Sequence, residues 1–228
     1  MSSFEVIHHP NSPRANYEMG RILANAARTA GAHVLQEESL RFLQTAAELN
    51  PRDISALVGI AIIKGHGWAP AEFASLRERL ASRPLAPTDI PFLRSIVDCR
   101  VRTGCDFPQE QVLELFNLAA SRAGADNEAR ADVLSILALY SAQSMGDVSR
   151  CVELMSEAAH LQPKDARAWL NLAEAQLLLP DYEGAAESLR KAEALDPWRM
   201  QRSRWERLRA DLDKFRHHPD SATGAATP

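Results

Sequence analysis

Aromatic side chains make up only 6% of this 228-residue chain, and it holds just 10 glycines. No run alternates apolar with polar residues over the length of a strand, which argues against a β-rich fold and leaves helices to carry the architecture. No stretch reaches the roughly 18 apolar residues of a spanning helix, and the first residues lack the charged-then-apolar order of a secretion signal. On this reading the chain is soluble and cytoplasmic as written, unless Met1 lies inside or downstream of a longer, membrane-anchored reading frame. An excess of one charge is also missing. With 26 basic and 30 acidic side chains the net charge is −4, which offers no overall field for nucleic acid or an acidic membrane surface.

Signatures of chemistry are equally scarce. There is no Gly-x-Ser-x-Gly elbow, no His-Glu-x-x-His pair and no Cys-x-x-Cys pair. Gly65-His66-Gly67 lacks the lysine and the helix-start hydroxyl of a phosphate loop, although His66 between its glycines is left open to a binding role. Glu37-Glu38 reads as a helix start rather than an acid–base pair. His8-His9 and His217-His218 lie toward the chain ends, where sequence neighbours cannot face one metal from a helix. No catalytic residue, cofactor or metal site is therefore assigned. Of the three cysteines, Cys151 falls at a small position of a helix, where a thiol packs as an apolar group. Cys99 and Cys105 flank Arg100 to Gly104, running from a helix end into a loop. They close a disulfide if the loop folds back; otherwise they are two separate thiols. Metal ligation lacks a second Cys or His pair at ligand spacing.

What the chain does have is alanine, together with helix starts and stops. Ser12-Pro13 opens a helix with Tyr17, Met19, Gly20, Leu23 and Ala27 on its apolar and small face. After Ala30-Gly31-Ala32 the partner helix is expected over Glu38 to Leu49. Asp53 starts an apolar helix through Ile63, which implies burial between neighbours. Ala71 to Ser82 follows, with Phe73, Leu76 and Leu80 on one face and Arg77, Glu78 and Arg79 on the other. Thr88 or Asp89 caps the next helix, Pro108 opens another, and Asp126 and Gly146-Asp147 punctuate two more.

A spacing organises the second half. Ala158-Ala159-His160-Leu161-Gln162-Pro163 returns 34 residues later as Ala192-Glu193-Ala194-Leu195-Asp196-Pro197, and Ala46-Ala47-Glu48-Leu49-Asn50-Pro51 is an earlier copy. Between the later two lies one helix–turn–helix unit, and a period of 34 marks a helical repeat. Trp169, Leu172 and Ala173 stand at large, large and small positions of its first helix; Tyr182, Ala185, Leu189, Ala192 and Pro197 follow in the second. Small residues let two helices close to about 8–10 Å, and Asp165 and Asp181 can cap them.

These residues resemble a tetratricopeptide repeat, well over 166–197, fairly over 132–165 and 13–51, and poorly between 52 and 125. The resemblance implies an all-α superhelical stack of about five antiparallel helix pairs. It gives a loose tail over 1–11, one domain over 12–217 with its best repeats at 132–165 and 166–199, and a disordered tail over 218–228. Trp198, Trp205, Leu208, Leu212 and Phe215 form the stripe of a capping helix over 198–217. Its many arginines read as a solvated outer face whose stems cover apolar surface, rather than as a patch for phosphate or acidic partners.

In such a stack each pair's first helix lines the concave face. That face is expected to include Val133, Ile136, Tyr140 and Gln143, then Arg167, Leu170, Asn171, Glu174, Leu177 and Leu178. A mixed, mainly apolar groove suits a peptide or an amphipathic helix of a protein partner. The lysines with which some members of the family clamp a terminal carboxylate are missing; only Arg167 and Asn171 are placed for it. The expected function is a non-catalytic scaffold that binds protein, without nucleic acid or membrane insertion. Two other resemblances remain beside it. One is the periplasm-facing soluble tail of a bacterial membrane protein of envelope polysaccharide or glycosyl transfer, in which Cys99 and Cys105 would pair. The other is a secretion chaperone.

Overall fold

Leucine and alanine repeating at three and four residues build helices, and the computed structural model is helical nearly throughout. It describes residues 10–51, 53–66, 68–196 and 202–217, with the side chains of 101–103 and 215–217 outside that description. The helices are α1 Pro13–Ala30, α2 His33–Leu49, α3 Ser55–Lys64, α4 Pro70–Ala81, α5 Ile90–Thr103 and α6 Gln109–Arg122. They continue with α7 Asn127–Met145, α8 Val148–Leu161, α9 Ala166–Leu178, α10 Tyr182–Leu195 and α11 Arg202–His217. A single 3-10 turn, Pro87–Asp89, precedes α5. The chain groups into two compact units, Met1–Ala129 and Arg130–Pro228.

In the first unit α1 and α2 form an antiparallel hairpin closed at a glycine. A Cβ on Gly20 would stand 2.7 Å from Leu43 Cγ, so a larger residue there would have to push Leu43 aside, and the Ser39 hydroxyl donates to the Gly20 carbonyl at 2.6 Å across the crossing. The second helix begins at His33, five residues before the expected Glu38. Its first turn was hard to read because Val34 is 71% exposed and shows no apolar period. Helix α3 packs against α1, α2 and α5, and its Ala56, Leu57, Val58, Ile60 and Ala61 are all buried, as an all-round apolar helix requires.

The rest of this unit is tied by side chains that reach distant backbone. Arg79, expected on the solvent side of α4, donates to the carbonyls of Asp53 at 2.8 Å and Ala47 at 3.2 Å. Asp89 does not cap α5. Its buried carboxylate takes both Arg83 Nη atoms at 2.7 and 2.8 Å and accepts from the Ala86 N–H at 2.8 Å, so the acid closes the proline turn before the helix.

The second unit follows local rules more closely. Asp147, Asp165 and Asp181 each accept from a backbone N–H in the first turn of α8, α9 and α10 respectively. At the α9–α10 crossing Ala173, Ala185 and Ala192 are buried, with Trp169, Leu172 and Leu189 buried around them. Trp169 Nε1 donates to the Pro163 carbonyl at 3.0 Å, and Lys191 Nζ lies 4.4 Å over the indole ring. Helix α11 packs on α9 and α10 through Trp205, Leu208 and Leu212, all buried. Burying each contributes on the order of 1.5–3 kcal/mol. Trp198 and the side chain of Phe215, the two ends of the expected stripe, lie outside the described residues, as do residues 1–9 of the tail expected over 1–11 and all of the one expected over 218–228.

Candidate protein-binding face

Helix α9 presents Asn171, Glu174 and Leu178 at steps of three and four residues, which sets them in line on one face. The middle of that line is polar and filled. Arg204 of α11 points its guanidinium at it, with Nε 2.6 Å from Glu174 Oε1 and Nη2 2.5 Å from Oε2. The same Nη2 donates to Asn171 Oδ1 at 2.6 Å. Arg207 adds a bond to Glu174 Oε1 at 2.7 Å. This is a two-pronged, charge-assisted contact in which the planar fork matches the carboxylate. Burial alone would push the Glu174 carboxyl up; the hydrogen bonds and charges of Arg204 and Arg207 outweigh it and hold the group below its ordinary value.

The end of the line is apolar and open. Leu178 is 60% exposed, beside half-buried Leu177. Gln143 and Arg167 are exposed as well, the latter bonded to its own helix cap, Asp165, at 3.1 Å. The other four residues expected in the groove face inward instead. Val133 and Ile136 are 0% exposed, Tyr140 and Leu170 1%. Period alone cannot separate a concave lining from a core in an alanine-rich helix, because small neighbours let the large side chains sink. These four belong to the core, and of the expected groove residues Leu178 is the most open apolar one.

Among the described residues, the arginines of α11 are engaged rather than free. Arg204 and Arg207 hold Glu174, Arg209 holds Glu193, Arg202 pairs with Glu206 and Lys214 with Asp211. The link from Arg204 to Asn171 and Glu174 was missed from sequence. Its only trace is that Arg204 and Arg207 flank the first half of the buried stripe, one residue before each large apolar side chain.

Elsewhere, Cys99 and Cys105 are joined by a disulfide with their Cα atoms 5.6 Å apart, and Cys151 is buried, which pushes its thiol up. The disulfide loop meets the His66 loop. Asp106 N–H donates to the Gly65 carbonyl at 2.9 Å, and the Phe107 ring lies 5.2 Å from that of Trp68. His66 is exposed there, beside a backbone bridge to Asp106, so the loop serves to join two helix connections. An open groove between α4 and α6, with Ala74, Ala81 and Leu118 in its lining, is spanned by Arg77 and Glu114 at 2.9 Å. Among the described residues no cluster of three metal-capable side chains occurs, and no helix is long and apolar enough to cross a membrane.

No protein-family model matches the chain, and no curated protein sequence matches it. Solved structures are similar at low identity. One is YrrB, a TPR protein with an unusual peptide-binding site, at 15% identity and TM-score 0.41 over 87% of this chain and 93% of that one. Another is MamA, residue 41 to the end, from Desulfovibrio magneticus RS-1, at 17% identity and TM-score 0.42 over 82% and 98%. A third is PilF of Pseudomonas aeruginosa, at 14% and 0.40 over 90% and 94%. A likeness of this size does not say what a chain binds. The chain's own α9–α10 hairpin, with its capping aspartates and crossing alanines, is that of a tetratricopeptide-like helical repeat.

Proposed function

We propose that this protein is a non-catalytic scaffold that holds a segment of a protein partner on the α9 face. The observation that carries the reading is the line of Asn171, Glu174 and Leu178, a polar anchor followed by an apolar side chain left 60% open to water. Such a line suits a peptide or helix that brings one polar group and one apolar side chain at matching distance. The test is co-purification from the native cell with the intact chain and with Leu178→Asp. An exposed position accepts that change without loss of fold, so partner recovery is expected to fall at least tenfold with an unchanged melt. Equal recovery would refute the α9 face.

A second reading concerns where the scaffold works. The Cys99–Cys105 disulfide favours an oxidising compartment, because disulfides persist there and are scarce in reducing cytosol. Counting thiols in protein trapped with alkylating agent from its native cell checks it. One free thiol, that of Cys151, is expected; three would refute it.

A further inference from the structure

We propose that the Asn171–Glu174 face of α9 is a docking site for an arginine-bearing amphipathic helix, and that α11 is its resident occupant, which a partner helix must displace. This deepens the scaffold reading and rests on it. Two kinds of complementarity carry the inference. The first is charge: a carboxylate and an amide oxygen stand side by side on one helix, and between them they take three hydrogen bonds from a single guanidinium, at 2.5–2.6 Å. That is a recognition element for arginine, which lysine cannot replace because its ammonium has no fork. The second is the way α11 is seated. It meets α9 and α10 through the stripe of Trp205, Leu208 and Leu212, with Arg204, Arg207 and Arg209 beside that stripe. A helix laid on a receptor by one apolar stripe with charged anchors beside it, here Arg204 and Arg207 on Glu174 and Arg209 on Glu193, is how helix-in-groove complexes are built.

Tethering explains why the face is covered. An occupant on the same chain acts at an effective concentration in the millimolar range, so a free helix of equal intrinsic affinity competes poorly until α11 is loosened. Leu178, beyond the Arg204 anchor on the same face, is left open. A partner helix that adds an apolar side chain there makes a contact that α11 leaves unused, and this gives it the advantage needed to displace the resident.

The experiment uses the full chain and a fluorescently labelled peptide of residues 202–217. In a chain carrying Arg204→Ala, Trp205→Ala and Leu208→Ala together, α11 no longer competes. The peptide should then bind at least tenfold tighter than to the unsubstituted chain. Adding Glu174→Gln, or replacing the peptide's arginine at 204 by lysine, should remove most of that gain. Equal affinity for both chains, or indifference to Glu174→Gln, would overturn the proposal. Should the triple variant lose helix beyond α11, the unsubstituted chain carries the test by hydrogen exchange with isotope-labelled peptide. Amides of residues 202–217 of the chain should exchange faster as peptide reaches millimolar concentration; unchanged protection would overturn it. A failed peptide with a Leu178→Asp co-purification defect would sink the arginine-helix site alone and leave the scaffold reading standing.

Discussion

The two compact units reach helical packing by different means. In Arg130–Pro228 the fold is written locally: aspartates cap α8, α9 and α10, and alanines mark the α9–α10 crossing. In Met1–Ala129 the repeat spacing is lost after the first hairpin. There Arg79 and Arg122 bond backbone carbonyls 26 to 39 residues away, Trp68 donates to the Leu57 carbonyl at 3.2 Å, and a disulfide closes the loop after α5. When short-range repeat signals drift, a helix pair is kept by a few long side chains that satisfy the backbone at helix ends. The first unit should thus be sensitive at isolated polar residues, and the second at its small ones.

Asp89→Ala should break that contrast most strongly. It leaves the Arg83 guanidinium without its carboxylate and the Ala86 N–H without its acceptor, at a cost of about 3 kcal/mol. Chemical denaturation should show the loss in the first unit, followed by its tryptophan, Trp68. A loss under 1 kcal/mol would mean the bidentate pair is replaceable by water. Overpacking comes next and compares the hairpins directly. Gly20→Val and Ala185→Leu each force a crossing apart and should cost about 2 kcal/mol. If Gly20→Val is neutral, Leu43 moves freely and the first hairpin is not closed at that glycine.

Why the second unit was easier to read follows from the same residues. Asp165, Asp181 and the Trp169, Leu172, Ala173 series act within one turn of where they stand, so sequence spacing and spatial contact coincide. Arg79, Asp89 and Arg204 could not be read that way. Each works through a partner chosen by the fold, and a charged residue beside an apolar stripe looks the same whether it faces water or a carboxylate. The inward turn of Val133, Ile136, Tyr140 and Leu170 was hidden for a related reason: period assigns a face, and only packing decides whether that face is a wall or a core.

The disulfide gives an effect of similar size, and pH smaller ones. Cys99→Ser or Cys105→Ser should lower stability by about 2 kcal/mol, given the short loop that the disulfide closes. The loss should appear in the first unit, and reductant should reproduce it in the unsubstituted chain. Acid should loosen the α11 contact in the second unit. The first unit has an acid limb of its own: against the upward push of burial, Lys64 and the Ala69 N–H hold Glu72 below its ordinary value. Glu174 is held below its ordinary value, so its contribution is present above the unfolded value and is lost as pH falls through the lowered one. Amide exchange in α11 should quicken there, and Glu174→Gln should abolish that dependence. Alkali should act on the first unit, where burial and then the Glu18 charge raise Tyr17 to about 12. Its contribution is complete below pH 10 and fades toward 12; Tyr17→Phe should flatten the alkaline limb of the melting profile.

The most direct measurement is site-specific photo-crosslinking in the native cell, with the reactive side chain at position 178 on one chain and at position 190 on another. Arg190 is an exposed residue of α10 whose guanidinium is bonded to Glu187. A discrete adduct from position 178, weakened by Glu174→Gln and absent from position 190, is the expected result. No adduct from 178, or the same adduct from both positions, would contradict the α9 face as the working surface.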